Sequence, residues 1–535
     1  MHSQVKDIRP GMAKALHQTT SALTSSTMNR QQPHFRTFLI RVLAGMTFIV
    51  GLGVISLAGQ YAAADEIERA KKASLKSQLD AILPLPKSAK ARLGAHIIEL
   101  DTGSVLYDRD SKRPLIPASN MKLVVMAAAI HQLGPDYKYQ TVLAIRDTDL
   151  IVIGSGDPTF GDERLAEARD ETITAVFHKW AQILKDAGIR QIPGNILVDD
   201  LIFDLKFTHP KWPSDQYQSW YEAPIGGLNF NANCVQTVVI PTQPKKPAEV
   251  HLVPGNSFLK VSNKTTTGKK STVVVARPRG SDTLIVRGSV SKKGKLKEVT
   301  VREPGLYFGS VLKTVLATEG IPVGGKVVRE KVRLKNGHLP KNCHILDVHR
   351  TPVGDALARC GKDSLGMMAE GLLKTLGAHQ SGLGSWESGR SAIHAFLRTV
   401  NVPADQVTVD DGSGLSRYNR LSASAATRIL RFMHDGPEQS FELFKSSLAV
   451  AGIDGTLKKR LRSKQTKGRI FGKTGYINGV WSLSGYVHTH SDHWLAFALY
   501  YNATGKTSTP KPRIDRACRL LVQWPNLPAT SQMGD

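Results

Sequence analysis

Ser119-Asn120-Met121-Lys122 and, far downstream, Lys473-Thr474-Gly475 are the two stretches whose reading decides the fold of this 535-residue chain. A Ser and a Lys three residues apart share one face of a helix, so the amine can reach the hydroxyl and activate it as a nucleophile. Lys-Thr-Gly suits a strand edge, where it offers a cation, a hydroxyl and backbone N–H groups to an anionic substrate. Ser-x-x-Lys alone says little, because it also occurs at Ser3, Ser257, Ser289, Ser310 and Ser508. Only the Ser119 copy stands where a Pro-bounded loop, Pro114–Pro117, enters a long apolar run, Met121–Leu133, that Gly134-Pro135 ends. That run is too long for a strand and has no internal Pro or Gly, so it predicts a buried helix. At its start the hydroxyl is exposed and the helix N-terminus favours an oxyanion.

Outward from these motifs, Ala95–Leu100 and Ser104–Tyr107 flank Asp101-Thr102-Gly103 and predict a hairpin. From about Tyr139 to His344 the chain breaks into short β-rich runs: Leu150–Ile153, Gly194–Val198, Val235–Ile240, Thr272–Ala276, Thr283–Val290 and Lys326–Leu334. Helical segments return at Pro352–Cys360, Met367–Leu376, Ala392–Val400 and Ser422–Asp435. Strands follow at Trp481–His488 and His493–Tyr501, then a last helix near Arg513–Val522. The expected organisation is α/β: a discontinuous domain formed by residues 65–145 and 345–535, interrupted by a mainly β insertion, residues 146–344, of two subdomains.

Composition narrows the class. With 41% hydrophobic and 22% charged residues the chain is globular, and its length calls for more than one core. The net charge of +26 attracts polyanions, anionic envelope polymers among them. No zinc-finger spacing, aromatic RNA-binding signature or Walker loop accompanies it, so nucleic acid is not an expected partner. Lys6, Arg9, Lys14, Arg30, Arg36 and Arg41 precede the uncharged, mostly apolar Val42–Ala58, and Ala62-Ala63-Ala64 follows. This order reads residues 1–64 as an export signal, cleaved or kept as an anchor, and directs the chain to the periplasm or cell envelope. Translation from Met28 would shorten the basic region to an ordinary length. Cys234, Cys343, Cys360 and Cys518 are too few and scattered for a disulfide framework, and without a Cys-x-x-Cys they are read as isolated thiols. His488, His490 and His493 are read as a polar turn, and Lys458–Lys464 as a solvated basic face. No cofactor or metal is expected.

Further stretches make the pattern specific: Gly154–Thr159, Asn195–Asp200, Asp410-Asp411-Gly412-Ser413-Gly414-Leu415-Ser416-Arg417, Gly452–Leu457, and Gly472–Gly475 running on to Gly479-Val480. With the two opening motifs, they make the chain resemble the exported D-alanyl-D-alanine carboxypeptidases/endopeptidases of the low-molecular-mass class C penicillin-binding proteins, from about Leu85 to Tyr501. The resemblance implies a penicillin-recognising, β-lactamase-like domain of antiparallel sheet and helices carrying a large insertion. It implies peptidoglycan stem peptides as substrates and β-lactams as covalent inhibitors. Ser119 would be the nucleophile, Lys122 its base and Ser364 the relay to the leaving group. Lys473 and Thr474 would hold the substrate carboxylate, Gly475 would keep the strand edge open, and the N–H groups of Ser119 and Tyr476 would form the oxyanion hole.

One position departs from the family. Its middle motif, Ser-x-Asn, falls on Ser364-Leu365-Gly366, and no Ser-x-Asn occurs anywhere in the chain. The family Asn binds the substrate amide and helps hold the first-motif Lys, so Asn478, Asn419 or a water must take its place. The missing hydrogen bond is worth about 1–3 kcal/mol, one or two orders of magnitude in rate. Gly366 also opens two alternatives: a silent cell-wall-binding homologue, or a serine esterase or amidase with another acyl donor.

Overall fold

The computed structural model describes residues 65–84, 91–334, 337–503 and 509–528. The export segment and the Ser3 and Ser508 copies of Ser-x-x-Lys lie outside these residues. Among them, no helix is long and apolar enough to cross a membrane.

The C-terminal strands are almost continuously apolar, as expected of strands covered on both faces. Trp494–Asn502 sends Leu495, Phe497 and Leu499 to one side and Ala496, Ala498 and Tyr500 to the other, all buried. It is central in a six-stranded sheet ordered Ala449–Val450, Ile470–Ile477, Val480–His488, Trp494–Asn502, Arg92–Glu99, Val105–Arg109. Every neighbouring pair is antiparallel. The hairpin around Asp101-Thr102-Gly103 therefore forms one edge, and its first strand reaches across to pair with the last.

One face of this sheet packs on the C-terminal helix Lys511–Leu521 and on Leu75 and Leu79 of the helix through residues 65–82. The other face packs on the helical layer. Its centre is helix α1, Met121–Leu133, whose residues from Met121 to Ile130 are all buried. A helix apolar all round has to be buried on every side. Here the helices around it are α2 (Val353–Lys362), α3 (Gly366–Ser381), Trp386–Thr399 and Ala423–His434. Gly134, at φ +87°, ends α1 where the Gly-Pro pair predicts.

The inserted region is built on a mixed five-stranded sheet: Val327–Arg329, Ile196–Asp199, Asp149–Ile153, Lys138–Arg146, Cys343–Pro352. Its two long strands pair antiparallel from Arg146–Cys343 to Lys138–Pro352, so the sheet starts and ends outside the 146–344 limits read from composition. Smaller sheets carry the remaining strands, including a parallel pair of Lys260–Thr267 with Thr283–Val290. Strands dominate this region, but it also contains the helices Glu163–Ala168, Ala175–Asp186 and Pro304–Thr318. The last was hidden by β-branched Val311, Thr314 and Val315 and by two glycines, which local propensity assigns away from helix. Phe177, Trp180, Phe308 and Phe230 stack around Phe160 as the aromatic centre of its core.

Candidate active site

Ser119 lies in a single 3-10 turn, Ala118–Asn120, that runs directly into α1. The short turn keeps Ser119 half-buried while the next turn of helix takes Lys122 wholly inside. Lys122 Nζ donates to Ser119 Oγ at 3.2 Å and to the carbonyl oxygen of Ser413 at 2.5 Å. Burial pulls the Lys122 pKa below its ordinary range, opposed by the nearby Cys360, Asp411 and Glu370. A buried amine of this kind can be neutral part of the time and accept a proton from the hydroxyl it touches.

The neighbouring strand ties the turn in place. Asn120 is fully buried, and its Nδ2 donates to Lys473 O at 3.0 Å and to Ser482 Oγ at 2.7 Å. Ser482 Oγ in turn donates to Pro117 O. These bonds fix the Ser119 turn against the strand Ile470–Ile477. Gly475 permits the approach, since a Cβ there would stand 2.1 Å from Ser482 Oγ and 2.8 Å from Pro117 O. Its small size thus seats the Ser119 turn. The strand Ala449–Val450 pairs only with Phe471 and Gly472, so among the described residues this edge has no strand partner from Lys473 onward.

Lys473 is fully buried and donates to Ser364 Oγ at 2.8 Å and to Thr474 O at 2.8 Å. Burial, reinforced by the charge of Lys122, holds its pKa well below the usual lysine range. Ser364 sits in the turn between α2 and α3 with φ +61°, an unfavourable conformation for a residue with a Cβ. The turn is held from both sides: Asp363 pairs with Arg164 and Arg359, and Arg359 also reaches the buried Asp162 at 3.0 Å. Thr474 Oγ1 donates to Thr456 Oγ1 at 2.9 Å. Beside them, a cavity of about 200 Å³ is lined by Thr474, Gly475, Tyr476, Thr456, Arg460 and Lys511 among others. The Tyr476 side chain is exposed and stacks near Trp481. The structure thus gathers all of Ser119, Lys122, Ser364, Lys473, Thr474, Gly475 and Tyr476 on this strand and its neighbouring turns.

The loop Asp410–Ser416 closes the back of the site. Glu370, buried on α3, accepts N–H bonds from Ser413 at 2.7 Å, Gly412 at 3.0 Å and Trp386 Nε1 at 2.8 Å. Burial and the charge of Asp411 push its pKa up to about 7 against the pull of these donors. Asp411 accepts from Gly414 N, Ser416 N, Asn419 Nδ2 and Trp212 Nε1. Gly414, at φ +81°, lets the loop touch the Ser119 turn, because a Cβ would lie 1.8 Å from Ala118 O. The motif Asp410–Arg417 entered the sequence reading as part of the family resemblance, and nothing in it announced that a carbonyl would hold Lys122. Asn120, Glu370, Thr456 and Ser482 gave no signal either. Asn419, expected as a substitute for the missing Asn, is consumed by Asp410 N, Asp411 and Ser416 O, and Asn478 is exposed.

Features read as structural have local partners. His488 bonds Asp492 and stacks on Trp494, His493 faces Glu99, and Arg460 of the basic run pairs with Asp515. All four cysteines are free thiols. Among the described residues, no group of three or more His, Cys, Asp or Glu is placed to hold a metal ion.

The model of the D-Ala-D-Ala carboxypeptidase 3 (S13) family matches residues 75–521. This chain belongs to that family. The D-Ala-D-Ala carboxypeptidase 3 family is one of serine-type hydrolases, and the Ser119–Lys122 geometry suits that chemistry. The chain is 30% identical over 477 residues to the D-alanyl-D-alanine carboxypeptidase of an Actinomadura species, covering 84% of each chain. It is 22% identical over 428 residues to the D-alanyl-D-alanine carboxypeptidase DacB of Haemophilus influenzae, covering 75% of this chain and 84% of the relative. The crystal structure of penicillin binding protein 4 from Haemophilus influenzae superposes with a TM-score of 0.67 at 20% identity, covering 84% of this chain and 99% of that one. A second crystal structure of that protein, complexed with a β-lactam, superposes with a TM-score of 0.62 at 21% identity. These likenesses establish a penicillin-recognising fold for the chain.

Proposed function

We propose that this protein is an exported serine D-Ala-D-Ala carboxypeptidase that trims peptidoglycan stem peptides through an acyl-enzyme on Ser119, with D,D-endopeptidase action on cross-links as a second use of the same site. The observation that carries this reading is the convergence of three distant stretches: Lys122 on Ser119, Asn120 on the Lys473 backbone, and Lys473 on Ser364. The 30% identical Actinomadura carboxypeptidase supports the choice of substrate.

In this mechanism Lys122 takes the Ser119 proton as Oγ attacks the carbonyl carbon of the penultimate D-Ala. The tetrahedral intermediate collapses with loss of the terminal D-Ala amine, which receives through Ser364 the proton that Lys122 took, leaving Lys122 neutral again. Water then adds to the ester, its proton passes to Lys122 and on to the departing Ser119 Oγ, and the shortened peptide and free Ser119 are restored. Lys473 and Thr474 supply the cation and hydroxyl for the terminal carboxylate, and the N–H groups of Ser119 and Tyr476 face the oxyanion. The same carboxylate preference lets β-lactams bind, and attack of Ser119 Oγ on the lactam carbonyl, with cleavage of the ring C–N bond, makes them covalent inhibitors. Residues 1–64 read as an export signal, and the +26 charge read as an attraction to anionic envelope polymers, support an activity at the cell wall.

The test is incubation with a fluorescent penicillin and mapping of the adduct by mass spectrometry. The expected result is labelling of Ser119 that Ser119→Ala abolishes, together with D-alanine release from a D-Ala-D-Ala peptide. An unlabelled protein points to a silent wall-binding homologue. Labelling without D-alanine release points to another acyl donor.

A further inference from the structure

The absent middle-motif Asn leaves Lys122 without its family partner, yet Lys122 is not unheld. Besides Ser119 Oγ, its Nζ has the Ser413 carbonyl oxygen at 2.5 Å. The peptide unit of that carbonyl is held through its own N–H, Gly414 N, which donates to Asp411, and the two preceding amides, Ser413 N and Gly412 N, both donate to the Glu370 carboxylate. Trp386 Nε1 occupies the remaining approach to the same carboxylate, and Lys374 lies 4.0 Å over the Trp386 ring. Glu370 contacts neither the Ser119 hydroxyl nor the open strand edge. It stands one turn along α3 from Gly366, on the same helix that should have carried the Asn.

Gly366 itself is tightly packed. A Cβ built there would meet Tyr221 O at 3.3 Å and Ser413 Cβ at 3.4 Å, closer than most side chains sit. A side chain at 366 would therefore crowd Tyr221 O slightly and stand directly against Ser413, the residue whose carbonyl holds Lys122.

We infer that Glu370 is a positioning residue for this reaction: by fixing the Gly412 and Ser413 amides that lead into the Ser413 carbonyl, beside Asp411 on the Gly414 amide, it presents that backbone carbonyl to Lys122 in the role of the missing Asn, and Gly366 leaves Ser413 uncrowded. The inference rests on Lys122 acting as the base for Ser119. The titratable groups facing Glu370 are Asp411, Lys122, Lys374 and Cys360, and none of them donates a hydrogen bond to its carboxylate. Protonation of Glu370, centred near pH 7, weakens its hold on the Ser413 and Gly412 amides. Acylation then falls as the pH drops through that value.

The experiment measures the rate of Ser119 acylation by penicillin against pH for the wild-type protein, Glu370→Gln and Gly366→Asn, with thermal melting of each. The expected result is wild-type acylation with an inflection near pH 7. Glu370→Gln should be slower by on the order of tenfold to a hundredfold, with that inflection gone. Gly366→Asn should also be slower. A rate loss in Glu370→Gln that tracks lost folded protein, with the pH profile unchanged in shape, would reduce Glu370 to a structural role and overturn the inference. Faster acylation in Gly366→Asn would do the same, by showing that the Asn was simply missing; this arm decides the matter if Glu370→Gln does not fold. If the wild-type protein itself is not acylated, the reading of Ser119 and Lys122 fails first and this inference falls with it.

Discussion

Ser364 shows how much a single residue conformation is worth here. Its φ of +61° aims the hydroxyl at Lys473, and a side chain in that region costs about 1–2 kcal/mol relative to glycine. Ser364→Gly and Ser364→Ala should both lose the proton relay, but the Gly variant should be more stable than the Ala variant by about 1 kcal/mol. Chemical denaturation of the pair checks this; equal stability would mean the turn relaxes when the hydroxyl is removed. The residue pattern Ser119, Lys122, Lys473 and Thr474 was readable because each belongs to a short motif with a fixed spacing. Glu370 and Asn120 were not, since a buried carboxylate or amide is defined by donors that come from elsewhere in the chain.

At the level of elements, α1 and the turn between α2 and α3 are positioned in different ways. The bounds of α1, Met121–Leu133, follow from local signals, an apolar run closed by Gly-Pro. The α2–α3 turn depends on the insertion, because Arg359 of α2 bonds Asp162 and Asp363 while Arg164 also pairs with Asp363. Asp162 is only 2% exposed, so removing Arg359 leaves a buried charge held by the Leu165 N–H without its cation. Arg359→Ala should cost about 3–5 kcal/mol and slow acylation, through displacement of Ser364. Urea unfolding gives the first quantity and penicillin kinetics the second. A loss below about 1 kcal/mol, the scale of a surface pair, would contradict this placement.

Across the whole molecule, the insertion braces the catalytic loop. Lys211 bonds Asp410, Trp212 bonds Asp411 and Asp204 pairs with Lys374, all linking residues 204–212 to the helical layer. Lys122 and Lys473, with Lys374 the three buried lysines among the described residues, add a pH signature to the fold. Burial lowers both pKa values, so below the ordinary lysine value of about 10.4 the unfolded chain binds more protons than the folded one. Stability should therefore rise with pH through this window, and Lys473→Met should flatten the slope. Melting temperatures of both proteins at several pH values between neutral and mildly alkaline test it, and an unchanged slope in the variant would refute it.

The sequence by itself picked out the Ser119–Lys122 pair, the Lys473–Gly475 strand edge and the existence of an insertion, because covalent spacing and hydrophobic period act over a few residues. Only the tertiary structure decided what holds Lys122. The Ser413 carbonyl, the Glu370 carboxylate and the space at Gly366 meet only after α3 packs beside the Asp410–Ser416 loop, and a backbone carbonyl leaves no mark on residue identity.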